Sequence, residues 1–401
     1  MSSAPLTVLC VATYEKGQEF IRECRRLGCR VLLLTEASLR DADWPRDAID
    51  ATFYLERDRT TRDDLLKGVS FVARTEAIDR IVPLDDFDVE LAALLREHLR
   101  IPGMGETTAR HFRDKLAMRV KARDRGLRVP RFVHVLNHDA IRRFADEVAP
   151  PWFLKPRSQA SAVGIRRVED AAGLWAAIDA LGDQQSFYVL EQFVAGDIYH
   201  VDAIVSERQV VFAEAHKYGQ PPWDVAHRGG IFSTRTIRDE CPETAALQAF
   251  VREVVTAFGL VRGVTHTEFI RAQADGQLYF LETSARVGGA HIADVVEAAT
   301  GVNLWREWAR IEVAGESGRY EVPEAGRRYA GVLISLARQE HPDLSAYDDP
   351  EVIRRLEKRH HAGLLVASDD ARRVQALLDG YARRFVADFM ATLPAPDRPA
   401  S

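Results

Sequence analysis

Residues 266–286, HTEFIRAQADGQLYFLETSAR, contain two strand-like runs and predict a β-hairpin that sets two glutamates against each other. A three-residue loop at 274–276 would place Gly276 at the left-handed position that such loops commonly give to glycine. Glu268 then lies directly opposite Glu282, where Cβ atoms are about 5 Å apart and like charges destabilise a sheet. A hairpin that needed only stability would gain by changing one of these acids.

The face that carries the two acids is the next constraint. The two-residue period of a strand places His266, Ser284 and Arg286 on this face, together with Leu278 and Phe280. Because apolar residues share the face, we do not expect it to be simply solvated. Hard divalent cations prefer oxygen ligands, and Mg²⁺ usually takes one or two carboxylates plus substrate phosphates. The face therefore favours a divalent-metal site, and charges exposed to water are the alternative.

Strand-like and helix-like runs alternate through residues 1–105. Strands are predicted at residues 6–13, 31–35 and 81–84, and helices at residues 17–27 and 89–99. This alternation predicts an open, parallel α/β layer, which the breaker cluster at 101–105 ends. The dinucleotide fingerprint GxGxxG and the P-loop motif GxxxxGK[ST] are both absent from the sequence, so neither explains a nucleotide site.

Four further stretches follow in chain order. A basic helix is predicted over residues 108–125, and the segment FLKPRSQASAVGI at 153–165 ends an apolar run in Lys155 before a loop of small residues. Residues 188–197 turn at a glutamate and could present backbone groups to the edge of a purine. Residues 217–235 are polar and contain two prolines, which predicts a long loop.

Composition limits the classes of function. A chain of 401 residues is expected to form two or more domains, and its net charge of −6 argues against nucleic-acid binding, which needs a basic face. No signal peptide and no membrane span are predicted. The four cysteines form no CxxC pair and have no metal-ligand spacing, which indicates a reduced, cytoplasmic compartment.

The order of these features resembles the ATP-grasp superfamily of carboxylate–amine ligases. A lysine on a basic helix, a lysine before a small-residue loop, a Glu-x-Phe-Val turn and a two-carboxylate hairpin with a trailing arginine occur between residues 101 and 311. The resemblance implies an N-terminal α/β domain at 1–105 and an ATP-grasp core at 106–315. The core would divide into a lid at about 130–190 and a metal and nucleotide subdomain at about 191–315, followed by an α+β segment at 316–401.

The resemblance also implies ATP as the nucleotide and Mg²⁺ as the ion, with Mn²⁺ as a substitute. Arg286 would steady the reacting carboxylate and, with Lys155, act in catalysis. Ser284 would join Glu268 and Glu282 as a metal ligand, although the family usually has asparagine at its position. The expected nucleotide contacts are Lys115, Lys155, Ser161, the hinge residues Glu191, Gln192, Phe193 and Val194, and His200 and Asp202 near the ribose.

The predicted loop 217–235 would border the acceptor pocket in such a fold. Trp223 would wall an apolar side chain and Asp224 would hold an ammonium group. Arg228 and Arg235 would bind a carboxylate together with Arg286, since guanidinium groups pair with carboxylates in a bidentate way. An ordinary surface loop is an equally weighted alternative.

The implied activity joins a small-molecule carboxylate to an amine through an acyl phosphate and releases ADP and phosphate. Neither nucleic acid nor a membrane is an expected partner, and the chain could form a homodimer. The alternatives are a bicarbonate-phosphorylating carboxylase and a non-catalytic ATP-binding protein. Asp85-Asp86 follows a strand end and resembles a ligand-facing loop of an α/β sheet, but a solvated turn is the preferred interpretation. His360-His361 is interpreted as structural.

Overall fold

The computed structural model describes residues 5–56, 59–238, 240–315 and 320–391. Within these ranges the chain forms three β-sheets, of four, four and eight strands. Helices cover the sheets, and each sheet buries aliphatic and aromatic side chains beneath them.

The first sheet is parallel, with the order β3-β2-β1-β4. Its side chains pack into two apolar clusters, one of which includes buried residues from the later segment 304–311. This confirms the predicted α/β layer, although β3 and α2 were not expected from the sequence. The elements are β1 (Thr7–Ala12), α1 (Gln18–Arg26), β2 (Arg30–Glu36), β3 (Ala51–Leu55), α2 (Arg62–Val72), β4 (Arg80–Pro83) and α3 (Asp88–Leu99).

Two helices replace the single basic helix expected over 108–125, and that prediction was wrong. α4 (Glu106–Arg110) ends before α5 (Lys115–Asp124) begins. Asp114 caps α5 by accepting hydrogen bonds from the N–H groups of Leu116 and Ala117, at 2.9 and 3.2 Å. Such a cap satisfies orphan donors of the first turn, and it fixes Lys115 as the first helical residue.

The second sheet is antiparallel, with the order β5-β8-β6-β7. Trp152 and Leu154 of β6 pack with residues of both covering helices in its core. The elements are β5 (Phe132–His134), α6 (His138–Glu147), β6 (Trp152–Pro156), β7 (Arg166–Val168), α7 (Ala171–Asp179) and β8 (Tyr188–Gln192).

The third sheet has the order β13-β12-β9-β10-β11-β14-β16-β15. Because β14 pairs with β11, the C-terminal strands continue the core sheet instead of forming one of their own. Its strands are β9 (Gly196–Ser206), β10 (Gln209–Tyr218), β11 (Phe232–Ile237), β12 (Gly263–Ala272), β13 (Leu278–Ser284), β14 (Tyr329–Leu336), β15 (Val352–Lys358) and β16 (His361–Ser368). Its helices are α8 (Pro222–Arg228), α9 (Glu243–Phe258), α10 (Ile292–Thr300), α11 (Leu304–Ala314) and α12 (Ala371–Asp388).

The hairpin of β12 and β13 sets the two acids opposite each other, as expected, but its register contains a bulge that was not expected. Glu268 pairs with Glu282, while Phe269 pairs with Phe280, so β13 contains an extra residue at a bulge. Gly276 has φ 68°, as expected. The bulge turns Phe280 into the apolar cluster with Phe269, so the expectation that Phe280 shares the acids' face was wrong.

Candidate active site

Glu282 connects the hairpin to α5 and to the loop after β6. Its Oε2 lies 2.8 Å from Nζ of Lys115. The same Nζ donates a hydrogen bond of 2.8 Å to the carbonyl of Gln159, in the loop of small residues. Lys115 therefore joins the hairpin acid to this loop, and its ammonium group offsets the charge of one of the opposed carboxylates.

The other acid, Glu268, is held by a tyrosine and a histidine. Its Oε1 accepts a hydrogen bond of 2.8 Å from Tyr218 and lies 3.6 Å from Nε2 of His266. Burial alone would raise the pKa of Glu268, but His266 and Tyr218 outweigh burial and lower it. Glu268 is thus ionised at neutral pH, as a metal ligand must be.

The donor set of the hairpin fits Mg²⁺. Glu268 and Glu282 occupy one rung of the ladder and offer hard oxygen atoms, which Mg²⁺ prefers. Ser284 follows on the same strand, and its hydroxyl interacts with the carboxylate of Asp86. Ser284 as a third ligand stays a proposal.

A buried histidine network lies behind Glu268 on the same face of the sheet. Asp202 accepts hydrogen bonds from Nδ1 of His200 at 2.7 Å and Nδ1 of His266 at 2.9 Å, and Thr234 Oγ1 lies 2.7 Å from Nε2 of His200. Burial would lower the pKa of His266, but Asp202 outweighs burial and raises it to about 9. At neutral pH an imidazolium therefore stands between two carboxylates.

This network corrects the expected ribose contact. The side chains of His200 and Asp202 are fully buried and bond to each other, so neither is open to a sugar hydroxyl. His200, Asp202 and His266 have ligand atoms close enough to hold a metal ion. Their direct hydrogen bonds satisfy these atoms without one, and the hairpin acids are the better match for Mg²⁺.

Lys155 lies in a buried ion triad that the sequence did not predict. Its Nζ is 2.7 Å from Oε2 of Glu191, and Nε of Arg119 is 2.8 Å from Oε1 of the same carboxylate. Burial would raise the pKa of Glu191, but Arg119 and Lys155 lower it to about 2. The triad ties β6, β8 and α5 together and fixes where Lys155 stands.

The predicted hinge follows directly after Glu191. Gln192 donates its backbone N–H to the carbonyl of Arg131, and Phe193 donates to that of Pro151. Among the described residues, no group accepts a hydrogen bond from the N–H of Val194. Of these three N–H groups, only the one of Val194 has no acceptor among the described residues.

The loop after β6 has an unusual backbone. Ser161 and Ala162 have φ 55° and 58°, in the left-handed region that non-glycine residues seldom occupy, and Gly164 has φ 70°. A Cβ on Gly164 would approach Cγ of Pro156 to 2.9 Å. The loop therefore turns tightly against the end of β6, and its strained residues are of the kind that concentrates at ligand clamps.

Arg286 meets Asp86 from the loop after β4, a contact that sequence analysis missed. Oδ2 of Asp86 is 3.1 Å from Nη1 of Arg113 and 3.6 Å from Nη2 of Arg286. Burial would raise the pKa of Asp86, but Arg286 and Arg113 lower it to about 2. The interpretation of Asp86 as a solvated residue was wrong, because its side chain is buried and faces the core. The available signal was its place directly after β4, at the carboxyl edge of a parallel sheet, where ligands bind.

The predicted acceptor loop is mostly regular structure. Trp223, Asp224 and Arg228 lie on α8. The ring of Trp223 packs on that of Phe153 with 5.3 Å between the ring centroids, and Oδ1 of Asp224 is 3.2 Å from Nη1 of Arg228. Arg235 lies on β11 and donates to Gln375 of α12. Since Thr234 faces the histidine network, alternation puts Arg235 on the opposite face. The loop prediction was wrong, and the structure does not bring Arg235 to the other site residues.

The described part of the chain contains no helix with the length and apolar character needed to cross a bilayer.

Residues 148–294 match the ATP-grasp domain family. The chain is 23% identical over 248 residues to an L-arginine-specific L-amino acid ligase of Bacillus subtilis, covering 60% of this chain and 59% of that protein. It is 27% identical over 205 residues to a D-alanine–D-alanine ligase of Herminiimonas arsenicoxydans, covering 48% and 60%. The chain thus spans about 60% of the length of these relatives.

Among solved structures, an L-amino acid ligase from Bacillus licheniformis superposes with a TM-score of 0.76 at 19% identity, covering 97% of this chain and 99% of that one. A biotin carboxylase from Campylobacter jejuni superposes with a TM-score of 0.69 at 15% identity, covering 96% and 92%. At these identities the likeness concerns the fold. This chain therefore contains an ATP-grasp domain and has the ATP-grasp fold.

Proposed function

We propose that the protein is an ATP- and Mg²⁺-dependent ligase that activates the carboxylate of an amino-acid-like substrate and joins it to an amine, with release of ADP and phosphate. The observation that carries the proposal is the meeting of three parts. These are the pair of opposed acids, Lys115, which joins Glu282 to the loop after β6, and Arg286 beside Asp86. A protein that only bound a nucleotide would not need the buried arginine–aspartate pair. Amino-acid ligases among the relatives support the same reaction class.

Each residue has a role that follows from its charge and position. Mg²⁺ held by Glu268 and Glu282, with Mn²⁺ as a substitute, would supply charge neutralisation for phosphoryl transfer. Lys115 and Lys155 carry the cationic groups that offset phosphate charge, and the N–H of Val194 presents a donor to the purine. Such pre-aligned charges are usually the largest contribution to catalysis of phosphoryl transfer.

Arg286 and Asp86 would receive the substrate that carries the carboxylate. The Nε atom of Arg286 is buried and has no hydrogen-bond partner within the described residues, so it can still donate. Oδ1 of Asp86 is likewise buried and without a partner there, so it can accept from an ammonium group. A cation and an anion with unused hydrogen-bonding atoms suit a zwitterion, which is why an amino acid is the proposed substrate class.

The remaining predictions are a homodimer and a cytoplasmic location.

Trp223, Asp224 and Arg228 stay proposed at the mouth of the site, because α8 reaches the loop after β6 through a hydrogen bond of 3.4 Å from Trp223 to the carbonyl of Ile165. Arg235 is left out of the proposed pocket because of its place on β11.

Incubation with ATP, Mg²⁺ and a pool of amino acids tests the proposal. We expect release of ADP and phosphate that depends on amino acids, and calorimetry with a non-hydrolysable ATP analogue should give a Kd of about 1 mM or tighter. Bicarbonate in place of the amino acids is the control for the carboxylase alternative. Phosphate release that only bicarbonate stimulates would replace the proposal, and undetectable nucleotide binding would reject it.

Asp86→Asn tests the role of the loop after β4 in the site. Loss of this charge leaves Arg113 and Arg286 without their counter-ion, and we expect a loss of about 2 kcal/mol, roughly thirtyfold in kcat/KM for the amino acid. The KM of ATP should change much less. Asp85→Asn is the matched control, since this neighbouring carboxylate pairs with Lys16 at 2.5 Å. Equal effects of the two variants on both substrates would argue against the assignment.

A further inference from the structure

A cavity of about 520 Å³ lies outside the proposed active site, between α5, the end of α9 and the turn that joins β9 to β10. Its lining includes His111, Lys121, Arg125 and Arg208 and contains no aspartate or glutamate. Lys121 follows Lys115 by six residues, so the two lie about 9 Å apart along α5. The cavity is therefore separate from the place proposed for the nucleotide phosphates.

Two of the cations of the cavity, Arg125 and Arg208, are exposed, and Lys121 is half-buried. In the ranges that the structure describes, no carboxylate lies within 4.0 Å of the side-chain nitrogens of Lys121, Arg125 or Arg208. By contrast, Arg123 on the same helix pairs with Asp124 at 2.9 Å. The C-terminal ends of α5 and α9 point here, and each contributes about half a negative charge. Three formal positive charges outweigh these two helix ends.

Arg208 occupies a costly backbone position. β9 and β10 are joined by Glu207 and Arg208 alone, with φ 47° and 66°. Two-residue turns of this kind favour Asn-Gly, because side chains are disfavoured in the left-handed region. The carboxylate of Glu207 turns away to Arg262 at 2.5 Å, whereas Arg208 lines the cavity. Strain at an exposed residue whose charge has no carboxylate partner among the described residues points to a role in binding.

His111 adds an unused polar atom. Its Nδ1 is buried and has no hydrogen-bond partner among the described residues. Burial lowers the pKa of His111, and the nearby Lys121 lowers it further. An anion in the cavity would neutralise Lys121 and so remove one of the charges that lower the pKa of His111.

We propose that this cavity binds a small polyvalent anion, either a phosphate monoester or a polycarboxylate. Arginine pairs in a bidentate way with both groups, and lysine provides a compact charge beside them. The site goes beyond the ligase activity and does not depend on it.

Binding is measured by calorimetry at constant ionic strength, with the active site saturated by Mg²⁺ and a non-hydrolysable ATP analogue. The probes are glycerol 2-phosphate and propane-1,2,3-tricarboxylate, which separate the two sources of anionic charge. We expect at least one of them to bind with a Kd of about 1 mM or tighter.

Arg208→Asn is the decisive variant, because asparagine suits the left-handed turn and removes the charge. We expect the apparent Tm to rise while the Kd for the anion increases about tenfold. Arg123→Gln is the control, because Arg123 lies on α5 near Lys121 but outside the cavity. This variant should bind the anion as the wild type does. No binding of either probe to the wild type, or equal affinities of the two variants, would overturn the proposal.

Discussion

Replacing Glu282 with glutamine should lower kcat by about a hundredfold or more, because the site loses one of two anionic ligands for the metal. The fold should be little affected. The variant loses the partly exposed pair with Lys115 but also the repulsion from Glu268, so the free energy of unfolding should stay within about 1 kcal/mol of the wild type. Turnover measured beside thermal unfolding tests both statements.

Asp275→Asn provides the matched control for this substitution. Asp275 lies in the turn of the same hairpin, where its Oδ1 accepts a hydrogen bond of 2.9 Å from the N–H of Gln277. Asparagine can accept the same bond, so the turn is kept and the acids are untouched. Wild-type turnover in Glu282→Gln would show that the hairpin is not the metal site.

The hairpin shows what local sequence can predict. The alternation of its residues and the position of Gly276 were sufficient to place Glu268 opposite Glu282, and the structure has this pair. The bulge in β13 was not predictable, because an extra residue changes no local preference visible in the sequence. The expected loop was one residue too short, and the bulge restores the register, so two errors cancelled.

The long-range contacts of the site were beyond sequence analysis. Asp86 and Arg286 are two hundred residues apart, and they meet because elements of the first sheet pack against α11 and the third sheet. The alternation of residues along a strand predicts which side chains share a face. It carries no information about which part of the chain covers that face. The histidine network was missed for a similar reason, since Asp202 meets His266 through the pairing of β9 with β12.

Secondary structure was mistaken where polar residues dominate. The segment that includes Trp223 was read as loop because of its prolines, yet Pro222 begins α8. Proline is favoured at the first helical position, where its missing N–H costs nothing. Proline can therefore end a helix or start one, and the sequence around 217–235 did not distinguish these cases.

Glu191→Gln should destabilise the protein by about 3–5 kcal/mol, because it leaves Arg119 and Lys155 as uncompensated cations in a buried place. The pH dependence identifies the cause. The pKa of Glu191 is lowered from 4.5 to about 2 in the folded chain, so its ionisation contributes fully above about pH 4.5, and the contribution is lost as the pH falls towards 2. The difference between wild type and variant should therefore be flat near neutral pH and shrink below pH 4.5.

Glu214→Gln changes a second buried glutamate, for which the pH dependence of stability should have the opposite sign. Glu214 pairs with Arg238 at 2.9 Å, but burial outweighs the arginine and raises the pKa of Glu214 above 4.5. Ionisation of Glu214 therefore destabilises the folded state as the pH rises through the folded pKa. Relative to this variant, the wild type should lose stability with rising pH, whereas relative to Glu191→Gln it should gain stability. Chemical denaturation of the three proteins between about pH 3 and pH 7 measures these slopes. Equal slopes for the two variants would mean that the triad does not hold Lys155 by charge, and that packing alone positions this lysine.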